Sequence, residues 1–358
     1  MFPREYRGVA FVVGLFLAVQ LGALALVPEF VESGYQAVEN PDDPTNSLVY
    51  VVAIVAMTGL MLAAFRYDLD GAIRLLIVGV SAYLSWYVFS ALVSPLAAAV
   101  PALAVGAGLL VHPEWYVIDT AGVLMGAGAA GLFGISFGLL PALILLAVLA
   151  VYDAISVYGT EHMLSLAEGI MDLNIPVVLV IPLSLSYSLL DGETASDEAA
   201  GVGDDGEPDA EAAPDAEGEA APDAEGEAAP DAEAASDGNG DTEAADPAEA
   251  GDPAGLGNRD AFFIGLGDAV IPTVLIASAA TFSSAPSLAV PLFGVNLPAL
   301  LAMVGTLAGL LVLMRWVIQG RPHAGLPLLN GGAIGGYLVG SVVAGVPLIE
   351  ALGLAAFL

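Results

Sequence analysis

Two stretches of this chain decide how it is read: FGLLPALILLAVLAVYDAISVY at 137–158 and AFFIGLGDAVIPTVLIASAATF at 261–282. Each has about the 20 apolar residues that a helix needs to cross a bilayer. Each also carries an acid in its interior, Asp153 in the first and Asp268 in the second. An ionisable residue at the bilayer centre costs at least about 2.5–3.5 kcal/mol on insertion scales, so such residues tend to be functional and paired. Glu161 lies eight residues after Asp153, and Asp260 eight residues before Asp268, roughly 12 Å along a helix in each case. If both flanking acids mark one membrane surface, the two carboxyl groups sit at one depth on neighbouring helices.

Outside these stretches the composition points the same way. Of 358 residues 57% are hydrophobic, which excludes an ordinary soluble domain and indicates a polytopic membrane protein. The formal net charge is −33, but residues 191–260 hold 24 of the 40 acidic residues and a single arginine. The membrane body is therefore only mildly acidic. Cysteine is absent, which excludes disulfides and thiolate metal sites. Lysine is absent too, and an acid-rich, lysine-free composition is that expected of a halophile. The first apolar stretch, from Gly8 to Val27, is too long for a signal-peptide core and is read as a retained span.

Nine transmembrane helices are expected, at about 8–28, 48–66, 71–93, 95–112, 116–135, 137–158, 261–282, 289–314 and 327–347. The fold class is thus an all-α polytopic membrane protein. Only Ser136 separates the fifth and sixth spans, and it offers little turn. With a cytoplasmic N-terminus, all seven arginines (Arg4, Arg7, Arg66, Arg74, Arg259, Arg315 and Arg321) fall on the inside, as the positive-inside rule requires. The protein is expected to be a multi-pass cell-membrane protein with a cytoplasmic 191–259 loop and an extracellular C-terminus.

Four regions follow: spans one to five at 1–135; span six and its sequel at 136–190; an acidic loop at 191–259; and spans seven to nine at 260–358. The loop repeats PDAEGEAA at 214–221 and 222–229, and its dense like charge and lack of apolar residues imply disorder. Before it, MLSLAEGIMDLN at 163–174 has the periodicity of a short interfacial helix. IPVVLVIPL at 175–183 is β-branched, bounded by prolines and too short to span, which suits a strand.

The chemistry-bearing constellation is Tyr152-Asp153 with Gly265-Leu266-Gly267-Asp268. The two glycines remove side chains beside an acid and so admit another backbone. Pro272, four residues after Asp268, cannot donate to its carbonyl and loosens the helix there. Two carboxyl groups sharing one proton are suited to peptide hydrolysis, one activating water while the other protonates the scissile carbonyl. The residues alone leave two other readings open, a proton relay and a structural pair.

The strings YD at 152–153, GLGDAVIP at 265–272 and Pro327-Leu328-Leu329 at the start of the last span resemble the presenilin and signal-peptide-peptidase family. That resemblance implies a nine-span intramembrane aspartic endopeptidase with Asp153 and Asp268 as catalytic pair. It implies that Tyr152, Gly265, Leu266, Gly267, Pro327, Leu328 and Leu329 shape the site, although Leu328 stands where the family has alanine. The chain most resembles presenilin-like archaeal homologues, whose substrates are transmembrane proteins taken from the bilayer. No cofactor, metal or nucleic acid is implied, and the oligomeric state stays open. The rival from a different class is a proton- or cation-coupled transporter or leak channel using the same two acids.

Asp119, just inside the fifth span, reads as a helix-end residue. His112, His162 and His323 lack ligand spacing. Glycines at small-xxx-small spacing (Gly122 and Gly126, Gly305 and Gly309, Gly331 and Gly335, Gly332, Gly336 and Gly340) read as helix-packing contacts; that Gly331 to Gly340 also pack the last span against the aspartates is a secondary reading.

Overall fold

A computed structural model describes residues 4–67, 69–159, 178–183, 187–189, 261–288, 294–319 and 324–355. Six helices come first: α1 (Arg4–Glu32), α2 (Thr45–Arg66), α3 (Asp70–Ser90), α4 (Pro95–Val111), α5 (Trp115–Ser136) and α6 (Leu139–Gly159). Two strands follow, β1 (Val178–Pro182) and β2 (Ala261–Gly265), and then α7 (Leu266–Phe282), α8 (Leu297–Ile318), α9 (Gly325–Val343) and the short α10 (Leu348–Ala351). Among the described residues, seven helices are long and apolar enough to cross a membrane. The other two apolar helices, α4 and α7, have 17 residues each. The interfacial helix expected at 163–174 and the acidic loop at 191–259 lie outside the described residues, as do Glu161 and Asp260.

The break between α5 and α6 needs only Phe137 and Gly138 because another loop braces it. Ser136 Oγ accepts the Ala37 N–H at 2.9 Å, and the Gly138 N–H donates to the Pro41 carbonyl at 2.8 Å. Phe137 is fully buried, and its carbonyl takes the Ser278 hydroxyl of α7 at 2.8 Å. A turn that looks too short in sequence is thus held by partners about 100 residues away on one side and 141 on the other.

Two sequence expectations are corrected. Span seven does not run from 261: Ala261–Gly265 is extended, and α7 begins only at Leu266. β2 pairs antiparallel with β1, in the register Val178 with Gly265 through Pro182 with Ala261. The expected strand therefore forms over Val178–Pro182, with a partner that its apolar sequence disguised as helix. Span eight starts at Leu297, where Asn296 caps it by accepting the Ala299 N–H at 2.9 Å. The same side chain donates to the Ala279 carbonyl of α7 at 2.7 Å.

Packing runs through glycine. On α5, Gly126 and Gly134 admit α7, and Gly22 of α1 abuts Ala127. The closest approach is between α8 and α9. A Cβ on Gly305 would collide with the Gly332 carbonyl, one on Gly336 with the Leu301 carbonyl, and one on Gly309 with the Leu328 carbonyl. Gly340 lies against Pro298. The Gly332, Gly336 and Gly340 stripe therefore faces α8, not the aspartates, while Gly331 and Gly335 face open space. Without a hydrophobic driving force between helices in lipid, such backbone contact is what holds them together.

This geometry separates neighbouring glycines sharply. Gly336→Val forces α8 and α9 apart and should cost about 1–3 kcal/mol, as overpacking does. Gly335→Val, one residue away, should be nearly neutral. Thermal unfolding of the two variants in detergent checks this, and equal melting temperatures would contradict the packing.

Candidate active site

Asp153 projects from the last turns of α6 and is only 5% exposed. Its Oδ2 accepts the Leu326 N–H at 3.0 Å, and the Gly325 N–H is a second backbone donor to the same carboxyl. Gly325 and Leu326 are the first two residues of α9. The opening turn of a helix has N–H groups without intrahelical acceptors, and an anion there satisfies them. Pro327 comes next and has no N–H to satisfy. The chain Gly325-Leu326-Pro327 thus presents two amides to Asp153 and leaves no third one stranded.

Asp268 arrives from a different direction. It lies in the first turn of α7, immediately after the β2 strand, so it is not in mid-helix as its hydrophobic context suggests. Its carboxyl lies over Gly325: a Cβ built there would stand 3.2 Å from Oδ2 and 3.6 Å from both Cγ and Oδ1. The two aspartates interact electrostatically. One glycine at the start of α9 therefore touches both acids, through its amide on one side and its bare Cα on the other. Sequence reasoning missed Gly325. Its only signal was a glycine two residues ahead of the Pro-Leu-Leu string, at the N-terminus of a helix.

The other residues singled out in sequence divide into two groups. Gly265 and Gly267 are exposed. The nearest atoms to a Cβ there are Asp268 Oδ2 at 3.8 Å and Ile271 Cδ1 at 3.9 Å, so this side of the acid is open. Leu266 is buried and turns the other way, against Gly126 of α5. Leu328 and Leu329 pack into the core beside α8, and the Leu328 carbonyl meets Gly309. Tyr152 is 41% exposed, and its α6 neighbours Val151 and Ile155 are exposed to a greater degree. Asn330, which the sequence did not suggest, is fully buried and donates to the Leu146 carbonyl at 2.9 Å. It fixes α9 to α6 two turns before Asp153. Among the described residues, no three His, Cys, Asp or Glu side chains form a group that could hold a metal ion.

The family model described as signal-peptide peptidase, presenilin aspartyl protease matches residues 13–346. Two solved structures of a presenilin family intramembrane aspartate protease, in C222 and P2 crystal forms, are 28% identical to the chain. The C222 form covers 94% of this chain and 99% of its own, with a TM-score of 0.57. The P2 form covers 92% and 96%, with a TM-score of 0.54. No curated protein matches the chain. With the family model spanning nearly the whole sequence and the same helical membrane fold in both solved structures, the chain belongs to the signal-peptide-peptidase and presenilin family of intramembrane aspartyl proteases.

Proposed function

We propose that Asp153 and Asp268 are the catalytic pair and that the substrates are transmembrane segments of other proteins. The observation that carries this reading is their joint contact with Gly325, which brings acids from α6 and α7 to one point. One carboxylate takes a proton from a water molecule, whose oxygen attacks the scissile carbonyl carbon. The other, protonated, gives its proton to the carbonyl oxygen. Collapse of the tetrahedral intermediate then expels the amine, which takes up a proton as it leaves. The exposed Gly265–Gly267 side of Asp268 is the side from which a peptide reaches this pair.

A transmembrane substrate arrives as a helix with all its backbone groups bonded internally. Cleavage requires local unwinding, and the freed groups need new partners. The β1–β2 ribbon supports strand addition as the source of those partners, because it ends at Gly265, three residues before Asp268. In β1 the Val180 N–H is committed to a side chain of α5, so Leu179 and Ile181 are the residues whose N–H groups face β2. In this reading the N-terminus and the 191–259 loop are cytoplasmic and the C-terminus is extracellular, as the arginine distribution supports.

Asp153→Asn and Asp268→Asn should each lower cleavage of a transmembrane peptide by about 10³-fold or more, since each acid has a distinct proton-transfer task. Asparagine at 153 still accepts the Leu326 N–H, so the variant stays folded. Product formation by mass spectrometry on purified protein is the measurement, and near wild-type cleavage by either variant would sink the pair.

Gly325→Ala should reduce kcat by about tenfold and Gly325→Val by about 100-fold, because displacing a reacting group by an ångström costs that much. KM for a short peptide should change little. A Gly325→Val enzyme of normal kcat would show that the Asp268 carboxyl is not held where it matters.

Proline at Leu179 removes a ladder donor and should impair cleavage of helical substrates strongly, whereas Leu179→Val should be mild. A short, already extended peptide should suffer less. Equal losses on both substrates would make the ribbon a connector only.

A further inference from the structure

Asp119 is a buried acid inside α5 that the proposed chemistry does not use. It lies in the second turn of α5, is 4% exposed, and its Oδ1 accepts the Val180 N–H at 2.8 Å. Its expected role as a helix-end residue at the interface does not account for that contact. Oδ2 is buried and has no hydrogen-bond partner among the described residues. An acid kept in such a place is costly, so what it does for Val180 matters.

Val180 is the middle residue of β1, and its N–H points away from β2. Asp119 therefore occupies the outer edge of β1 at its centre, where an added strand would otherwise find a donor. Burial follows the same asymmetry. Leu179, Val180 and Ile181 are each no more than 3% exposed, while Phe263 of β2 is 41% exposed and Gly265 is also exposed. By alternation from Val180, the outward-facing backbone groups of β2 belong to Ala261, Phe263 and Gly265. A second carboxylate on the same helix fastens the chain further along. Glu114, at the start of α5, accepts the Ser188 hydroxyl at 2.5 Å and the Leu189 N–H at 3.2 Å.

We propose that Asp119 is a positioning residue: by closing the outer edge of β1 and fixing its register against α5, it leaves the β2 edge, next to Asp268, as the one that receives a substrate strand. The proposal rests on the strand-addition reading above. A two-residue slip of the ribbon preserves the inward and outward faces of its side chains, so packing alone resists it weakly. A side-chain acceptor on one particular N–H does discriminate that slip, and through it the peptide bond delivered to the acids.

The test compares purified Asp119→Leu, Asp119→Asn and Val180→Pro with wild type on one transmembrane peptide and one short extended peptide. Leucine removes the acceptor at similar volume, asparagine keeps it, and proline removes the donor from the other side. Leucine and proline should spread cleavage over sites one or two residues from the wild-type position and raise KM for the transmembrane peptide about tenfold. Asparagine should restore the wild-type position, and the short peptide should be cleaved with a smaller loss. Unshifted cleavage sites and an unchanged KM in both the leucine and proline variants would overturn the proposal. So would equal losses in the leucine and asparagine variants on both peptides. Should the leucine variant not fold, the proline and asparagine variants decide by the same criteria. Cleavage by Asp153→Asn or Asp268→Asn, run alongside, would overturn the catalytic assignment instead, whatever Asp119 does.

Discussion

A helix opens with N–H groups that its own carbonyls cannot reach, and in apolar surroundings each one left bare costs several kcal/mol. α9 meets this demand with the carboxyl of Asp153 for Gly325 and Leu326, and with Pro327 where a further N–H would have stood. The same contact fixes the lateral position of α9 on α6, which Asn330 repeats one turn further along. It also brings the bare Cα of Gly325 against Asp268. The architecture therefore gives this buried acid structural work, beside the catalytic role proposed for it. The tight α8–α9 packing holds that helix start in place from behind: Gly309 lies on the Leu328 carbonyl, a single turn from the acids.

Much of this was legible in sequence because membrane constraints are simple. Nine apolar stretches of bilayer length emerge from hydropathy alone, and the rule that backbone must be satisfied internally turns them into helices. Asp153 and Asp268 stood out because acids in such stretches are rare. The β-branched run at 175–183 has the composition and flanking prolines of a strand, and residues 178–182 form one.

The unread parts share a physical cause, which is dependence on distant partners. Ala261–Gly265 is as apolar as the helix that follows, and only its pairing with β1 makes it extended. The stripe of Gly332, Gly336 and Gly340 announced close packing, but spacing cannot say which neighbour it meets. Ser136 looked inadequate as a turn because the bonds that secure it come from Ala37 and, through Gly138, from Pro41. Asp119 looked peripheral because its partner, Val180, is 61 residues away. Gly325 carried the weakest signal of all, one glycine in a chain with 42 of them.

Under the proposed strand addition, the ribbon also accounts for a site both stable and receptive. α7 has 17 residues and so spans roughly 26 Å, a little less than a typical hydrocarbon core. β2 extends the same chain beyond it, and extended backbone has an edge that a helix lacks. Unpaired edges are expensive in apolar surroundings. On β1 the expense is met by Asp119 and by burial against α5. On β2 the same remedy would block the approach to Asp268, since the outward groups of Phe263 and Gly265 lie along it. Among the described residues no strand pairs with that edge beside the acids; it is a demand for hydrogen bonds, and a substrate helix that unwinds there has the same demand. Each can satisfy the other. In the proposed strand-addition reading, the energy lost in opening the substrate helix is recovered at the place where the scissile bond is held extended for attack.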